Sequence, residues 1–393
     1  RFIKHLPYTI CFRLNQAPHS WGFFVCGMMG RFKTMIISKY SNSQIINIFN
    51  RILLFSLFIF FSCSSNELRQ QLSLQEMEIQ IEKDSFPKTT SILVSQRGKM
   101  VYERYFGDGK LELLNDTRSV TKSITSIMVG KMIRDGDILS VEDKISTYLN
   151  IPLIKGDLIK ADIRIKDLLT MSSAFLANDN DDLSPGNEDN MHKQDGWIKW
   201  IINLPIKQDY LRDESGFGPF HYATINAVLM GKVMEESVAQ SVDEYIANAL
   251  LSPLGIDNYE FQYSRNKEVM TGGGLRLRSR DLLKVGELVQ NKGVFQNISI
   301  IPKDWINECL TVHRTDEDSG AGYGYYFWNF QFLIGEKTKI NGWFMAGNGG
   351  NIVLILPELE SVIVVTRKNY NSPTMAIETI KLVSQYIIPK LLK

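Results

Sequence analysis

Residues 118–133 read Arg118-Ser119-Val120-Thr121-Lys122-Ser123, followed by Ile124-Thr125-Ser126-Ile127-Met128-Val129-Gly130-Lys131-Met132-Ile133. Apolar residues occur on most sides of the helix that this segment predicts, which indicates a buried helix. Ser119 and Lys122 are three residues apart, so a helix places their side chains next to each other. A buried lysine loses hydration, which favours its neutral form and lets it accept the serine proton. The segment therefore predicts a nucleophilic serine with a lysine partner.

The pattern Ser-x-x-Lys is weak by itself, because it occurs twice more in the chain. Ser85 to Lys88 contains a proline, and Ser264 to Lys267 lies in a polar segment with no apolar helix after it. Only Ser119 opens an apolar helix. On this pattern alone, an ordinary first-turn serine beside a surface lysine remains an alternative to a nucleophile.

Four further segments follow the Ser119 motif along the chain: Ile165–Ser173, Phe220–Thr224, Gly272–Arg276 and Gly347–Gly350. Together they resemble the serine beta-lactamase superfamily, in its class C, esterase and 6-aminohexanoate-dimer hydrolase branch. The resemblance covers the chain from about Phe86 to the C-terminus. It implies an α/β (α+β) fold of the beta-lactamase/transpeptidase type. In this fold an antiparallel sheet is built from both chain ends, a helical insert lies between them, and the active site lies in the groove.

The hydrophobic pattern is consistent with this arrangement. Residues 90–106 predict a hairpin, and apolar runs between residues 323 and 366 predict successive strands. Helical patterns lie between these two regions, and a last helix is predicted from about residue 373 to residue 392. We therefore predict a hydrolase domain over residues 86–393, with a helical insert over roughly residues 117–265.

Tyr222 resembles the tyrosine of the Tyr-x-Asn motif in this branch, which implies that Tyr222 exchanges protons under the influence of Lys122. The alternative is a tyrosine packed in the core. Thr224 stands where the branch has asparagine, so one amide is missing, and Asn226 is a possible substitute. A histidine base has little support, because the chain has no Gly-x-Ser-x-Gly motif and few histidines.

The strand motif of the branch, Lys/His-Thr/Ser-Gly, corresponds to Met345-Ala346-Gly347. The resemblance implies that the N–H groups of Ser119 and Asn348 form the oxyanion site, although the register could slide toward Gly350. Met345 offers no charge to a substrate carboxylate, so we expect a preference for small neutral esters or amides. The alternative is a cation from another element: Arg276, Lys337 or Lys339.

The N-terminal region resembles a bacterial lipoprotein leader. Residues 1–34 are interpreted as possible upstream translation, residues 35–63 as a signal peptide with lipid attachment at Cys63, and residues 64–85 as a polar tether. The alternative is a transmembrane anchor, but the apolar run of residues 52–61 is shorter than the roughly 20 residues that span a bilayer. We therefore predict an exported protein, anchored by lipid to the bacterial cell envelope on the periplasmic side or the surface.

Composition narrows the possible partners. The net charge is +1 and no basic patch is present, so a nucleic-acid partner has no support. Neither a cofactor nor a metal is predicted, since the chain has no His-Glu-x-x-His and no Cys-x-x-Cys. Within residues 177–195, turn-forming residues surround an acidic cluster of Asp179, Asp181, Asp182, Glu188 and Asp189. Their spacing fits no standard calcium loop, and a solvated loop near the mouth of the active site is favoured over calcium binding.

These observations predict a serine hydrolase that cleaves an ester or amide of a small molecule through an acyl-enzyme on Ser119. Lys122 and Tyr222 are the predicted acid–base partners. A peptidoglycan D-Ala-D-Ala peptidase or a beta-lactamase is an alternative within the same chemistry. A surface lipoprotein that binds ligands without turnover is an alternative of a different class. The oligomeric state is left open by the sequence.

Overall fold

Two uninterrupted apolar runs form the centre of the main sheet. The segments Asn351–Leu356 and Ser361–Arg367 are buried along their whole length. A strand that is apolar on both faces needs cover on both faces, so such runs favour the middle of a sheet. The computed structural model describes residues 74–392, and in it these two strands pair with each other.

Thirteen strands are present among residues 74–392, numbered along the chain: β1 Thr89–Gln96, β2 Lys99–Tyr105, β3 Asn115–Asp116, β4 Tyr259–Phe261, β5 Leu275–Leu277, β6 Val294–Phe295, β7 Ile298–Ser299, β8 Arg314–Thr315, β9 Gly322–Tyr323, β10 Trp328–Ile334, β11 Thr338–Gly347, β12 Asn351–Leu356 and β13 Ser361–Arg367.

The α-helices of the same range are α1 Leu74–Glu82, α2 Val120–Asp135, α3 Ile145–Tyr148, α4 Pro152–Lys155, α5 Leu158–Ala161, α6 Ile165–Leu169, α7 Glu188–His192, α8 Trp197–Asn203, α9 Thr224–Val238, α10 Val242–Ile246, α11 Ser279–Gln290, α12 Lys303–Cys309, α13 Met375–Leu382 and α14 Ile388–Leu391. Two π-helical turns, Ala247–Leu251 and Val383–Ile387, extend α10 and α13.

The main sheet has the strand order β2-β1-β13-β12-β11-β10-β9-β8, and its neighbouring strands are antiparallel. β1 joins the two chain ends, because Ile92 lies opposite Arg104 of β2 and opposite Val365 of β13. This confirms the predicted sheet built from both termini. The insertion is longer than predicted, however. It runs from residue 106 to residue 313, and it contains α11, α12 and strands β3–β7 as well as the earlier helices.

The predicted nucleophile helix is α2. Its residues from Val120 to Gly130 are all buried. The helix ends at Gly136, whose φ of 86° is the left-handed conformation that glycine adopts without strain. Trp305 crosses α2 closely at Gly130, and its indole N–H donates to the Ser126 carbonyl at 2.9 Å. These contacts fix the axis of α2 beneath the end of β11.

A small three-stranded sheet, β3-β5-β4, holds the start of α2 in place. Asp116 of β3 lies opposite Arg276 of β5, three residues before Ser119. β5 in turn follows Gly272–Gly274, and the Leu275 N–H donates to the Thr121 hydroxyl at 3.2 Å. The pairing therefore brings the glycine segment against the first turn of α2.

The predicted polar tether is wrong for its last part. Residues 74–82 form helix α1, which buries Met77 and Ile81. Glu78 accepts a hydrogen bond from the Tyr102 hydroxyl at 2.9 Å and pairs with Arg104 at 3.4 Å, which holds the helix against the edge strand β2. Two apolar residues four apart are too few for the sequence pattern to distinguish this helix from the charged segment around it.

Cys63 and the predicted leader lie outside residues 74–392, so lipid attachment, export and envelope location stay predictions from the sequence. Within the described range, no helix has both the length and the apolar composition required to cross the membrane.

The position of α1 generates a stability prediction. Met77 is 0% exposed, whereas Ile79 of the same helix is 37% exposed. Met77→Ala should lower the free energy of unfolding by about 2–4 kcal/mol, because it leaves a cavity, and Ile79→Ala should cost about 0.5 kcal/mol or less. Urea denaturation of the two variants measures both values. Equal, small losses would show that α1 is not part of the folded unit.

Candidate active site

Ser119 and Lys122 are in direct contact. Ser119 is the residue before the first turn of α2, and the Lys122 ammonium donates to its hydroxyl oxygen at 2.8 Å. Arg118, immediately before the serine, has a φ of 52°, a left-handed conformation that non-glycine residues adopt at a cost. This turn directs the chain from β3 into α2 and presents the serine at the helix N-terminus, where negative charge is stabilised.

Lys122 is 1% exposed, and all three of its N–H donors have acceptors. Besides Ser119, it donates to the Gly272 carbonyl at 2.7 Å and to the Thr224 hydroxyl at 2.9 Å. Burial acts to lower the lysine pKa, but the neighbouring Tyr222, Glu188 and Asp179 act in the opposite direction, and the net effect is a raised pKa. This direction does not favour the neutral lysine expected from burial, so Tyr222 is the better candidate to accept the serine proton.

Tyr222 faces this ammonium. The Lys122 Nζ lies 5.1 Å from the centroid of the tyrosine ring. Trp328, at the start of β10, stacks on the Tyr222 ring, with ring centroids 5.6 Å apart and planes at 27°. The ring is only partly buried, unlike a tyrosine packed in the core. Burial and the charge of Lys207 lower the pKa of the neighbouring His221.

Thr224 replaces the missing asparagine by direct contact. Its hydroxyl accepts from Lys122, as described above, while Asn226 is turned away. The Asn226 amide donates to the Ala223 carbonyl at 3.2 Å and contacts the Met171 sulfur. Asn226 therefore does not provide the amide that the sequence lacks. The close approach of Thr224 to the glycine segment needs glycine, because a Cβ at Gly272 would lie 2.7 Å from Thr224 Cγ2.

The end of β11 lies against the nucleophile turn. A Cβ at Gly347 would lie 1.9 Å from the Thr117 carbonyl oxygen and 3.1 Å from the Ser119 nitrogen. Asn348 follows at the tip, where its side chain is held by Asn371. The strand end is thus adjacent to Ser119.

Met345 is 0% exposed and belongs to the hydrophobic core. The apolar wall expected from this residue is therefore not part of the groove surface. The substitution still matters, because a methionine here removes the cation that the family strand carries. Arg276 is engaged elsewhere, with Glu260 at 3.2 Å and Asp116 at 3.7 Å.

The acidic loop is not simply solvated, contrary to expectation. Asp179 and Glu188 reach the site and accept from the Thr224 hydroxyl at 2.7 and 3.0 Å. Burial and the neighbouring Glu188 raise the pKa of Asp179 to about 6. Burial also acts to raise the pKa of Glu188, but His192 and Lys122 lower it to about 2. Residues 74–392 contain no group of three or more His, Cys, Asp or Glu arranged to hold a metal ion.

The two other Ser-x-x-Lys segments do not form such a site. The Ser85 hydroxyl donates to Gln80, and the Ser264 hydroxyl donates to Glu268. Lys88 and Lys267, the lysines of these segments, have left-handed backbone conformations. Neither segment opens a helix, so the lysine does not return to its serine.

Comparison with known proteins shows the family of the chain. The family model described as Beta-lactamase matches residues 88–385. The chain belongs to the beta-lactamase family. Members of the family are hydrolases, among them the 6-aminohexanoate-dimer hydrolase to which this chain is similar.

Three similar proteins place it within the family. The 6-aminohexanoate-dimer hydrolase of Paenarthrobacter ureafaciens is 23% identical over 291 residues, which are 70% of this chain and 71% of that protein. Protein flp of Staphylococcus aureus (strain MRSA252) is 25% identical over 222 residues, 54% of this chain and only 42% of flp. The structure of EstCE1, a hydrolase with promiscuous acyltransferase activity, superposes with a TM-score of 0.62 at 14% identity, covering 79% of this chain and 97% of EstCE1. The last likeness concerns the fold alone.

Sequence reasoning missed Asp179, Glu188 and Trp328. The sequence shows that residues 177–195 are acidic, but it does not show that Asp179 and Glu188 contact the site. Nothing in the local pattern distinguishes these two acids from those that face solvent. Trp328 appeared only as one residue of an aromatic strand. Its stacking on Tyr222 depends on a long-range contact that local pattern does not report.

The fit of Gly347 against the nucleophile turn leads to a prediction. Gly347→Ala pushes a Cβ into the Thr117 backbone, which must move the strand end away from Ser119. A shift of about 1 Å near reacting groups can lower kcat by about 10²-fold. The matched control is Gly342→Ala in the same strand, where the nearest atoms to the Cβ belong to the side chains of Phe332, Leu354 and Leu356 and not to the backbone. Steady-state kinetics on a neutral aryl ester should show the loss in the first variant only. Equal activities would contradict the proposed role of the strand end.

Proposed function

We propose that this beta-lactamase family member hydrolyses an ester or amide of a small molecule through a covalent acyl-enzyme on Ser119. The observation that carries the proposal is the Lys122–Ser119 contact of 2.8 Å, made by an ammonium whose other two donors are fixed on Gly272 and Thr224. A lysine held this way stabilises negative charge on the serine oxygen and on a tyrosine oxygen beside it.

In the proposed reaction, the Tyr222 phenolate accepts the Ser119 proton while the serine oxygen forms a bond to the carbonyl carbon. The carbonyl electron pair moves to oxygen, where the N–H groups of Ser119 and Asn348 stabilise it. When the tetrahedral intermediate collapses, the bond to the leaving group breaks and Tyr222 returns the proton to that group. Water then attacks the carbonyl carbon of the acyl-enzyme while Tyr222 accepts a proton from it. When this second intermediate collapses, the bond to Ser119 breaks, Tyr222 returns the proton to the serine oxygen, and the acid is released. Lys122 keeps its proton throughout and supplies charge.

We further propose that neutral substrates are preferred. Three observations support this preference. Met345 carries no charge and is buried, Arg276 is paired with two carboxylates, and Asp179 and Glu188 add negative charge next to the site. An acyl compound with a carboxylate near the scissile bond lacks an obvious partner here, and a charge-assisted contact is worth about 1.5–3 kcal/mol.

The first test of this function is chemical labelling. A fluorophosphonate probe should label Ser119 in the full chain, as located by mass spectrometry, and Ser119→Ala should lose both labelling and turnover while keeping its thermal unfolding profile. Ser85→Ala and Ser264→Ala are matched controls, because each removes the serine of another Ser-x-x-Lys segment. Absence of label on Ser119 would favour a ligand-binding protein without turnover.

The second test concerns substrate. The kcat/KM for a short neutral aryl ester should exceed that for nitrocefin, which carries a carboxylate, by about 10-fold or more. A panel of neutral esters, linear amides and nitrocefin measured under one set of conditions gives the ratio. Faster turnover of nitrocefin than of the neutral esters would instead identify a beta-lactamase, and would show that a cation reaches the site from another element.

A further inference from the structure

Asp179 is tied to the Tyr222–Thr224 segment by three hydrogen bonds. Its backbone N–H donates to the Tyr222 carbonyl at 2.8 Å. One carboxylate oxygen accepts from the Thr224 N–H at 2.6 Å and from the Thr224 hydroxyl at 2.7 Å. The other oxygen accepts from the Glu188 N–H at 2.9 Å. One loop residue thus holds the backbone on both sides of Ala223.

The Thr224 hydroxyl connects this carboxylate to Lys122. A hydroxyl has one proton to donate, and it accepts on its lone pairs. The lysine donates to Thr224 Oγ1 at 2.9 Å, so the hydroxyl proton points to a carboxylate behind it. Asp179 is the nearer acceptor at 2.7 Å, against 3.0 Å for Glu188. An asparagine could meet a lysine with its amide oxygen alone, whereas a threonine hydroxyl needs this second acceptor to be oriented.

We propose that Asp179 is a positioning residue that, through Thr224, keeps Lys122 charged and oriented toward Ser119, and so replaces the asparagine that this chain lacks. The inference rests on the proposed acyl-enzyme function and adds a residue to it. Asp179 acts through Thr224 and Lys122 and does not contact the reacting atoms.

The surrounding charges make the effect depend on pH. The charged groups near Asp179 are Lys122 from α2 and Glu188 from the same acidic segment. Thr224, the first residue of α9, and Tyr222, two residues before it, also contact Asp179. His192 faces Glu188. Because the pKa of Asp179 is raised to about 6, this carboxyl becomes neutral as the pH falls through that value, while Glu188 stays ionised. Activity that needs the Asp179 charge is therefore present above about pH 6 and is lost below it.

Asp179 also serves the helix, and the two roles can be separated. The residue before α9, Ala223, has no capping side chain, and Asp179 supplies the acceptor for the Thr224 N–H. Asparagine caps a helix as well as aspartate does. Asp179→Asn therefore keeps an acceptor for the helix but removes the charge, so a purely structural role predicts a nearly normal enzyme.

The experiment compares Asp179→Asn with Asp182→Asn, which removes an exposed charge from the same loop. In the full chain, kcat on a neutral aryl ester should fall by about 10- to 100-fold in Asp179→Asn, with KM within about twofold. The acid limb near pH 6 should disappear, because the variant resembles the protonated state at every pH. The alkaline limb should move to lower pH, since loss of a negative neighbour lowers the pKa of Lys122. Asp182→Asn should match the parent in all four respects.

A readout independent of turnover separates this proposal from the proposed function. Titration of the Lys122 Cε resonance in ¹³C-lysine-labelled protein, identified by its loss in Lys122→Arg, reports the lysine charge directly. A lower Lys122 pKa in Asp179→Asn than in Asp182→Asn supports the positioning role, even if the parent shows no hydrolysis and the proposed function fails. An unchanged Lys122 pKa overturns it, as does an unchanged pH profile in an active parent.

The variant Thr224→Val tests whether Asp179 acts on Lys122 through the Thr224 hydroxyl. This variant keeps the backbone N–H that Asp179 caps but removes the hydroxyl between the carboxylate and the lysine. In the Thr224→Val background, Asp179→Asn should reduce kcat by clearly less than in the parent, because the two residues act in one chain of hydrogen bonds. If the two substitutions lowered kcat by independent factors that multiply, the proposed connection from Asp179 to Lys122 through Thr224 would be overturned.

Discussion

The burial of one ammonium ion is the constraint on which the rest of the site depends. Lys122 is almost completely removed from water, and the effective penalty for burying an ion is several kcal/mol unless partners replace its hydration. Each of the three donors has an acceptor from a different part of the chain: Ser119, Gly272 and Thr224. Neighbouring groups then raise the lysine pKa, which favours the charged form. The nucleophile, the glycine segment and the start of α9 must therefore meet at one point.

This convergence explains why the fold brings these segments together so closely. The pairing of β3 with β5 carries Gly272 to the lysine, and the absence of a side chain there lets Thr224 approach from the other side. A side chain is also excluded at Gly347, at the end of β11, because even a methyl group would collide with the Thr117 carbonyl oxygen. Interiors are packed to the density of organic crystals, so such contacts leave little freedom to compensate. Glycine at these two positions is a requirement of the site and not of the sheet.

The sequence predicted the parts of this arrangement that depend on local pattern. Ser119 and Lys122 could be paired because helical spacing brings residues three apart together, and β12 and β13 could be identified as successive strands from their apolar runs. The charge of Lys122 could not be predicted. Burial and neighbouring groups act in opposite directions on the pKa of a lysine, and only the positions of Tyr222, Glu188 and Asp179 decide between them. The burial of Met345 was equally hidden, because its orientation depends on the register of β11 against α2.

The two departures from the family pattern have different physical consequences. Met345 stands where the resemblance implies a strand cation, and it puts an uncharged, apolar side chain into the core. Replacing an amide by Thr224 affects the lysine itself, because a hydroxyl is oriented only when an acceptor stands behind it. Asp179 meets that need, but a carboxylate brings charge as well as geometry, and its pKa of about 6 lies close to neutral pH. An amide in this position is insensitive to pH over this range. With a carboxyl there, the orientation of Lys122 depends on the protonation of Asp179, a residue that belongs neither to the main sheet nor to α2.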